Sequence, residues 1–326
     1  MNKTIAPIML VLVWLTVLLN GCSTKGTTSS ASQTAIPSTA TSKAAGTIAF
    51  GKADSVQQTD DIYLIQTDGT GLTQLTGNGG ITESPAWSPD GSKIAYHFFA
   101  TTELISKVPY QIWVMNADGS GQTQLTHDPA GGAWPSWSLD GKQIVFNDWY
   151  NEPLGKYGPA QIYIINADGS DMRRVTNGPD YDFIPTFAPN EKILFLRFQF
   201  STLEIGGDVF EINPDGTGLV QLTKSVRVGW YALSPDGSLL AIHNKDQHSI
   251  EILTMDGSQP PRTLLDTDFA YKWAQIVWSP DGKALAIARS SFGGVHGFPL
   301  YIVNADGSGL TKVPNADDAY SIAWRP

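Results

Sequence analysis

The residues able to do chemistry in this chain are five histidines and the acids that accompany them. His97, His127, His243, His248 and His296 share stretches of chain with Glu83, Asp128, Asp148, Asp180, Asp182, Asp266 and Asp268. Imidazoles and carboxylates can shuttle protons or hold a metal. The spacings a metal centre needs are missing: there is no His-x-His, no His-Glu-x-x-His, and one cysteine in all. A nucleophile elbow of the form Gly-x-Ser-x-Gly is absent as well. No metal and no cofactor is therefore expected. His97 and His243, which share the end of equivalent segments, are the pair that a catalytic role would use. A second candidate set is aromatic: Trp134, Trp149, Trp230, Trp273, Tyr181 and Tyr271, together with Tyr150, Tyr157, Phe183 and Phe269. Such side chains pair apolar area with a polar tip, as peptide- and sugar-binding surfaces do.

These residues are positioned by a repeat. Asp-Gly pairs begin at Asp68, Asp118, Asp168, Asp215, Asp256 and Asp306, spaced by 50, 50, 47, 41 and 50 residues. Interleaved with them run Trp87-Ser88-Pro89-Asp90-Gly91, Trp137-Ser138-Leu139-Asp140-Gly141, Phe187-Ala188-Pro189-Asn190-Glu191, Leu233-Ser234-Pro235-Asp236-Gly237 and Trp278-Ser279-Pro280-Asp281-Gly282. Each period holds four short runs rich in β-branched and aromatic residues, bounded by turn signals. In one period they are strand A at 84–87, B at 93–98, C at 111–116 and D at 123–126. Pro sets φ and Gly permits positive φ, so the intervening turns are tight. Their acids lack the alternating spacing of a calcium loop and are read as hairpin chemistry.

A four-stranded sheet is marginal alone, so neighbouring units must stack. The chain opens on strands B, C and D (47–50, 61–66, 73–76) and closes on a strand A (321–324). The expectation is an all-β fold, a six-bladed β-propeller of four-stranded blades over residues 46–326. The N-terminal B-C-D strands would pair with the C-terminal strand A, and closure would protect the sheet edges.

In a meander the A–B and C–D turns share one end, and the B–C and D–A loops share the other. The second end carries long, unequal loops (99–110, 149–160, 198–207, 266–274, 290–299), and binding usually lives on such loops. Tryptophan placement agrees. Trp87, Trp137, Trp278 and Trp324 hold one strand A register, and Trp113 shares a strand C register with Tyr63, Tyr163, Phe210 and Tyr301; both sets read as core. Apart from Trp14 in the leader, the remaining four, Trp134, Trp149, Trp230 and Trp273, fall on the loop-rich end. Trp134 and Trp230 share a register beside the central axis.

The pattern Trp-Ser-Pro-Asp-Gly … Ile-Ala-Tyr … Ile-Trp-Val-Met-Asn-Ala-Asp-Gly-Ser, seen at residues 87–120, resembles the repeat of the TolB C-terminal propeller and its relatives. The resemblance covers essentially all of 46–326. It implies the fold and leaves function open, because the same repeat serves scaffolds, lyases and peptidase propellers. TolB has an additional N-terminal α/β domain, where this chain has a tether.

Residues 1–21 read as a secretory leader: Lys3, an apolar stretch from Ile5 to Leu19, then Leu19-Asn20-Gly21-Cys22. That tetrapeptide resembles the lipobox of bacterial lipoproteins, which implies cleavage before Cys22 and lipidation of it. Residues 22–45 are Ser-, Thr-, Ala- and Gly-rich and read as a flexible tether. A formal charge of −10 lacks the basic footprint that nucleic acid requires. The expected function is that of a lipid-anchored, extracytoplasmic module in the cell envelope, held in an outer membrane or on the outer face of a cytoplasmic membrane. It would bind an envelope protein, peptide or glycan without catalysis. The alternative is a polysaccharide lyase or hydrolase acting through His97, His243 and the nearby acids.

Overall fold

The computed structural model describes residues 46–54, 59–100, 110–127, 131–148, 159–198, 206–224, 226–266, 274–289 and 299–326. The leader, Cys22, the tether, Trp149, Tyr150, Tyr157, Phe269, Tyr271, Trp273, His296, Asp128 and Asp268 lie outside the described residues.

The described chain is all β. In order, the strands are β1 (Thr47–Asp54), β2 (Thr59–Gln66), β3 (Thr73–Gln74), β4 (Gly80–Trp87), β5 (Lys93–Ala100), β6 (Gln111–Asn116), β7 (Thr123–Gln124) and β8 (Ala133–Trp137). They continue with β9 (Gln143–Asn147), β10 (Ile162–Asn166), β11 (Arg173–Arg174), β12 (Tyr181–Phe187), β13 (Ile193–Phe198), β14 (Asp208–Ile212), β15 (Val220–Gln221) and β16 (Val228–Leu233). The last are β17 (Leu239–Asn244), β18 (Ser249–Thr254), β19 (Arg262–Leu265), β20 (Ala274–Trp278), β21 (Ala284–Arg289), β22 (Tyr301–Asn304), β23 (Thr311–Lys312) and β24 (Ala319–Trp324). The expected D strands shrink to two residues in most repeats, as at Thr73–Gln74 and Thr123–Gln124.

Each antiparallel meander follows from its turns. Ser88 donates its Oγ–H to Asp90 (2.6 Å) and accepts the Lys93 N–H (2.9 Å), which folds the A–B hairpin; Ser138, Ser234 and Ser279 repeat this. In the C–D turns Asp118 accepts the N–H and Oγ–H of Ser120, and Asp68, Asp168, Asp215 and Asp306 accept the N–H and hydroxyl of Thr70, Ser170, Thr217 and Ser308. The turn acids are thus occupied by hairpin bonds.

Strands β8–β11, β12–β15 and β16–β19 form three separate four-stranded sheets, and the other strands form one sheet of twelve. Six separate sheets were expected. Two single parallel bridges, Asp60–Ile81 between β2 and β4 and Arg289–Tyr320 between β21 and β24, merge three of the meanders. These strands converge closely enough at the loop-rich end for one backbone contact each. Around the axis β4 lies against β8 and β24, β8 against β12, and β20 against β16 and β24. This is a propeller, with the first strand of each meander innermost.

Strand β24 pairs antiparallel with β1, with Trp324 opposite Ile48 and Ala319 opposite Lys52. Arg325 adds to this closure: it donates to the Gly91 carbonyl at 2.8 Å and lies 5.0 Å over the Trp87 ring. The core is divided among the seams between meanders. One cluster packs Ala95, Ile112 and Val114 against Trp137, Ile144 and Phe146; another packs Ala49 and Ile62 against Trp87, Ile94 and Tyr96. Each fully buried Ile or Phe contributes about 1.5–3 kcal/mol.

The strand A tryptophans Trp87, Trp137, Trp278 and Trp324 are buried as expected. The strand C set is not core: Trp113, Tyr63, Tyr163, Phe210 and Tyr301 are half-buried. Strand C lies one strand in from the rim, where the short D strand covers only part of each large ring.

Candidate functional site

The innermost strands share a distortion at the loop-rich end. Pairing slips between Glu83 and Ala86 in β4, Ala133 and Ser136 in β8, Phe183 and Thr186 in β12, and Val228 and Trp230 in β16. Ser84, Trp134, Ile184 and Ser321 occupy the left-handed region there, with φ of 53°, 50°, 56° and 49°. Each stands three residues before Trp87, Trp137, Phe187 or Trp324. A β-branched residue with positive φ is costly, and bulges of this type re-aim side chains beside functional sites.

The bulges at Trp134, Ile184 and Ser321 are held from neighbouring meanders. His97 Nδ1 in β5 accepts the Trp134 N–H at 3.5 Å, and Asn147 Oδ1 in β9 accepts the Ile184 N–H at 3.2 Å. His243 Nδ1 in β17 accepts the Ala274 N–H at 3.5 Å. In β20, Gln275 accepts the Ile322 N–H (2.8 Å) and donates to the Ile322 carbonyl (3.2 Å). Tyr231 donates its hydroxyl to the Ile184 carbonyl at 2.5 Å, and burial raises its titration far above that of a free phenol.

This decides where the two candidate histidines lie. His97 is 2% exposed and His243 1%. Both sit beneath the surface with Nδ1 engaged by backbone. His97 Nε2 faces Glu83 at 3.4 Å, and its ring meets Tyr110 edge-on at 4.7 Å. His127 is exposed, in the segment before β8. Asp148 is buried and accepts the Gln161 N–H at 2.5 Å, a structural role.

Of the aromatic candidates, the structure brings Trp134 and Tyr181 into one cluster with Phe183 and Phe198. Trp134 meets Phe183 edge-on at 5.5 Å. The three other rings lie parallel within 14°, with centroids 5.2 Å apart for Phe183–Phe198, 6.0 Å for Tyr181–Phe198 and 6.3 Å for Tyr181–Phe183. A face-to-face column would place its outer rings about 7 Å apart or more, so these rings are offset tiles. All four are half-buried. Trp230 shares the register of Trp134 but is 7% exposed, packed with Ile276, Trp278 and Ile287. Trp134 and Ile184 pack against that same cluster.

Behind the tiles runs a buried ion pair. Arg197 grips Asp182 through Nε at 2.6 Å and Nη2 at 2.8 Å, and its guanidinium lies 5.2 Å over both the Phe195 and Phe210 rings. Burial pushes the Asp182 carboxyl above the ordinary carboxylate range, opposed by Arg197; the Asp182 hydrogen bond in turn raises the Arg197 guanidinium. Sequence reasoning passed over Arg197, Phe198, Asn147 and Ile184. The repeat carried a signal for two of them, because Asn147 and Ile184 stand one 50-residue period after His97 and Trp134.

Among the described residues no group of three or more His, Cys, Asp or Glu side chains is placed to hold a metal ion.

Residues 100–258 match the family model described as the TolB beta propeller domain. Among solved structures, TolB from Acinetobacter baumannii is similar at 21% identity and a TM-score of 0.70, over 86% of this chain and 67% of that one. The putative TolB from Agrobacterium tumefaciens is similar at 16% identity and a TM-score of 0.58, over 86% and 99%. Oligogalacturonate lyase from Vibrio parahaemolyticus is similar at 11% identity and a TM-score of 0.52, over 83% and 82%. At these identities the likeness is one of fold. No curated protein matches the sequence.

Proposed function

Because this chain carries a TolB-like β-propeller, we propose that it is a non-catalytic docking module whose loop-rich end binds a protein segment of the cell envelope. The supporting observation is the half-buried cluster of Trp134, Phe183, Phe198 and Tyr181 beside the strained bulges. Rigid aromatics on a fixed scaffold lose little entropy on binding and supply the hot-spot area of protein interfaces. Trp230 backs this cluster, and Trp149, Trp273 and Tyr271, on the same end by sequence, extend the proposed surface.

In this reading the twelve-stranded sheet counts as three blades, since only single bridges join its meanders, and residues 46–326 form a six-bladed propeller. Residues 1–21 are a leader, Cys22 carries lipid, and 22–45 tether the propeller outside the cytoplasm. Labelling cells with a clickable fatty acid tests the anchor: Cys22→Ser should abolish incorporation, and retained label would refute it.

The test of docking is capture from envelope extract by the mature chain, compared with Trp134→Ala/Tyr181→Ala. A protein captured by the wild type and lost with this variant supports the reading. Equal capture by both places binding elsewhere. The fold likeness to oligogalacturonate lyase keeps polysaccharide cleavage as the competing reading. Against it, His97 and His243 are buried with Nδ1 committed to backbone. Turnover of an envelope polymer that stops on His97→Asn or His243→Asn would reverse the preference.

A further inference from the structure

We propose that His97 is a proton-sensitive positioning residue for Trp134, holding the strained bulge of β8 when neutral and releasing it when protonated. Nδ1 can accept the Trp134 N–H, at 3.5 Å, only while it carries no proton. The single proton of the neutral ring then lies on Nε2, facing Glu83 at 3.4 Å. Acidification adds a proton at Nδ1, which breaks the bond to Trp134 and sets two donors face to face. The resulting imidazolium faces the Glu83 carboxylate, the counter-charge that Glu83→Gln removes.

The groups around His97 come from several elements. Glu83 comes from β4, Tyr110 from the segment before β6, and the Trp134 backbone and indole from β8, with the indole 6.2 Å away. Asp60 of β2 and Tyr320 of β24 border the same cluster. Burial, reinforced by Glu83 and Asp60, keeps the Tyr110 and Tyr320 hydroxyls protonated well above their ordinary range. Histidine is the side chain that changes charge between about pH 5 and 8.

A built-in comparison supports the assignment. One repeat later, Asn147 holds the Ile184 N–H at 3.2 Å with the same 37-residue separation. An amide oxygen does this task without titrating, so proton sensitivity belongs to seams held by a histidine, His97 on Trp134 and His243 on Ala274, and not to the bulge as such. Trp134 at φ 50° relaxes once its acceptor is lost.

The test is amide hydrogen exchange of the segment spanning 131–137, normalised for the intrinsic pH dependence of exchange, at about pH 8 and about pH 5.5. The wild type should lose protection by roughly fivefold or more on acidification, the loss of one hydrogen bond. His97→Asn should retain the pH 8 protection at both values. Glu83→Gln should move the transition to lower pH, which keeps the proposal testable should His97→Asn not fold. Unchanged wild-type protection, a His97→Asn variant that responds like the wild type, or an unmoved transition in Glu83→Gln would each overturn it. Any effect on docking rests on the reading proposed above; the exchange measurement does not, so the two can fail separately.

Discussion

Trp137 donates its indole N–H to the Ala86 carbonyl of the neighbouring meander at 3.1 Å. Trp87 does the same to Ala323 (3.3 Å) and Trp278 to Ala232 (3.0 Å). The repeated geometry ties β4, β8 and β20 each to the innermost strand before it. Trp137→Phe keeps most of the apolar contact but leaves the Ala86 carbonyl without this donor. It should cost about 1–3 kcal/mol, read as a lower urea midpoint with an unchanged slope.

Arg197 and Asp182 give a prediction with a pH sign. Arg197→Met removes the partner of a carboxylate that is 1% exposed and should destabilise by about 3–5 kcal/mol near neutral pH. Burial already raises the Asp182 carboxyl, and loss of Arg197 raises it further. Protonation removes the buried charge, so the penalty should shrink as pH falls. Thermal unfolding of both proteins at neutral and acidic pH measures this; a penalty that grows in acid would contradict it.

The turn aspartates set the acid limit. Hydrogen bonds from Ser88, Ser138 and Ser234 and from nearby backbone hold Asp90, Asp140 and Asp236 at about 2, below the ordinary 3.8. A depressed folded-state value contributes stability above the unfolded value and loses it as pH falls through the folded one. Stability should therefore decline between about pH 4 and pH 2. The decline should be shallower in Ser88→Ala/Ser138→Ala/Ser234→Ala, which removes the serine hydroxyl bond to the carboxylate at all three sites.

Two glycines with similar turns should respond differently. Gly119 has φ 85°, and a Cβ there would stand 2.7 Å from the Leu75 carbonyl oxygen of the neighbouring meander. Gly257 has φ 66° and nothing within 4 Å of such a Cβ. Gly257→Ala should cost about 1 kcal/mol, from backbone strain alone. Gly119→Ala should cost more, because backbone must move as well. Equal melting temperatures for the two variants would show that the close approach is unimportant.

Much of this architecture was legible in the chain. The Asp-Gly series and the Trp-Ser-Pro-Asp-Gly series mark hairpins because φ preferences and side-chain hydrogen bonds act over two to five residues, which is local information. The pairing of β24 with β1 was legible too: the first repeat lacks a strand A, and the run at 321–324 supplies one. The register argument that buried Trp87, Trp137, Trp278 and Trp324 worked because a repeat places equivalent residues in equivalent seams.

Tertiary structure decided what happens between meanders. Trp134 and Trp230 look alike in the sequence, yet one is half-buried on a left-handed bulge and the other fully packed, because their neighbours across the seam differ. The strand C aromatics read as core and are half-covered, since the coverage depends on a D strand only two residues long in most repeats. His97 and His243 are the pair a catalytic role would use in the sequence, and in the structure they are interior acceptors for backbone N–H groups 37 and 31 residues away. Local propensity and periodicity are written along the chain. Which polar atom meets which across a seam depends on distances between strands that no spacing in the chain encodes.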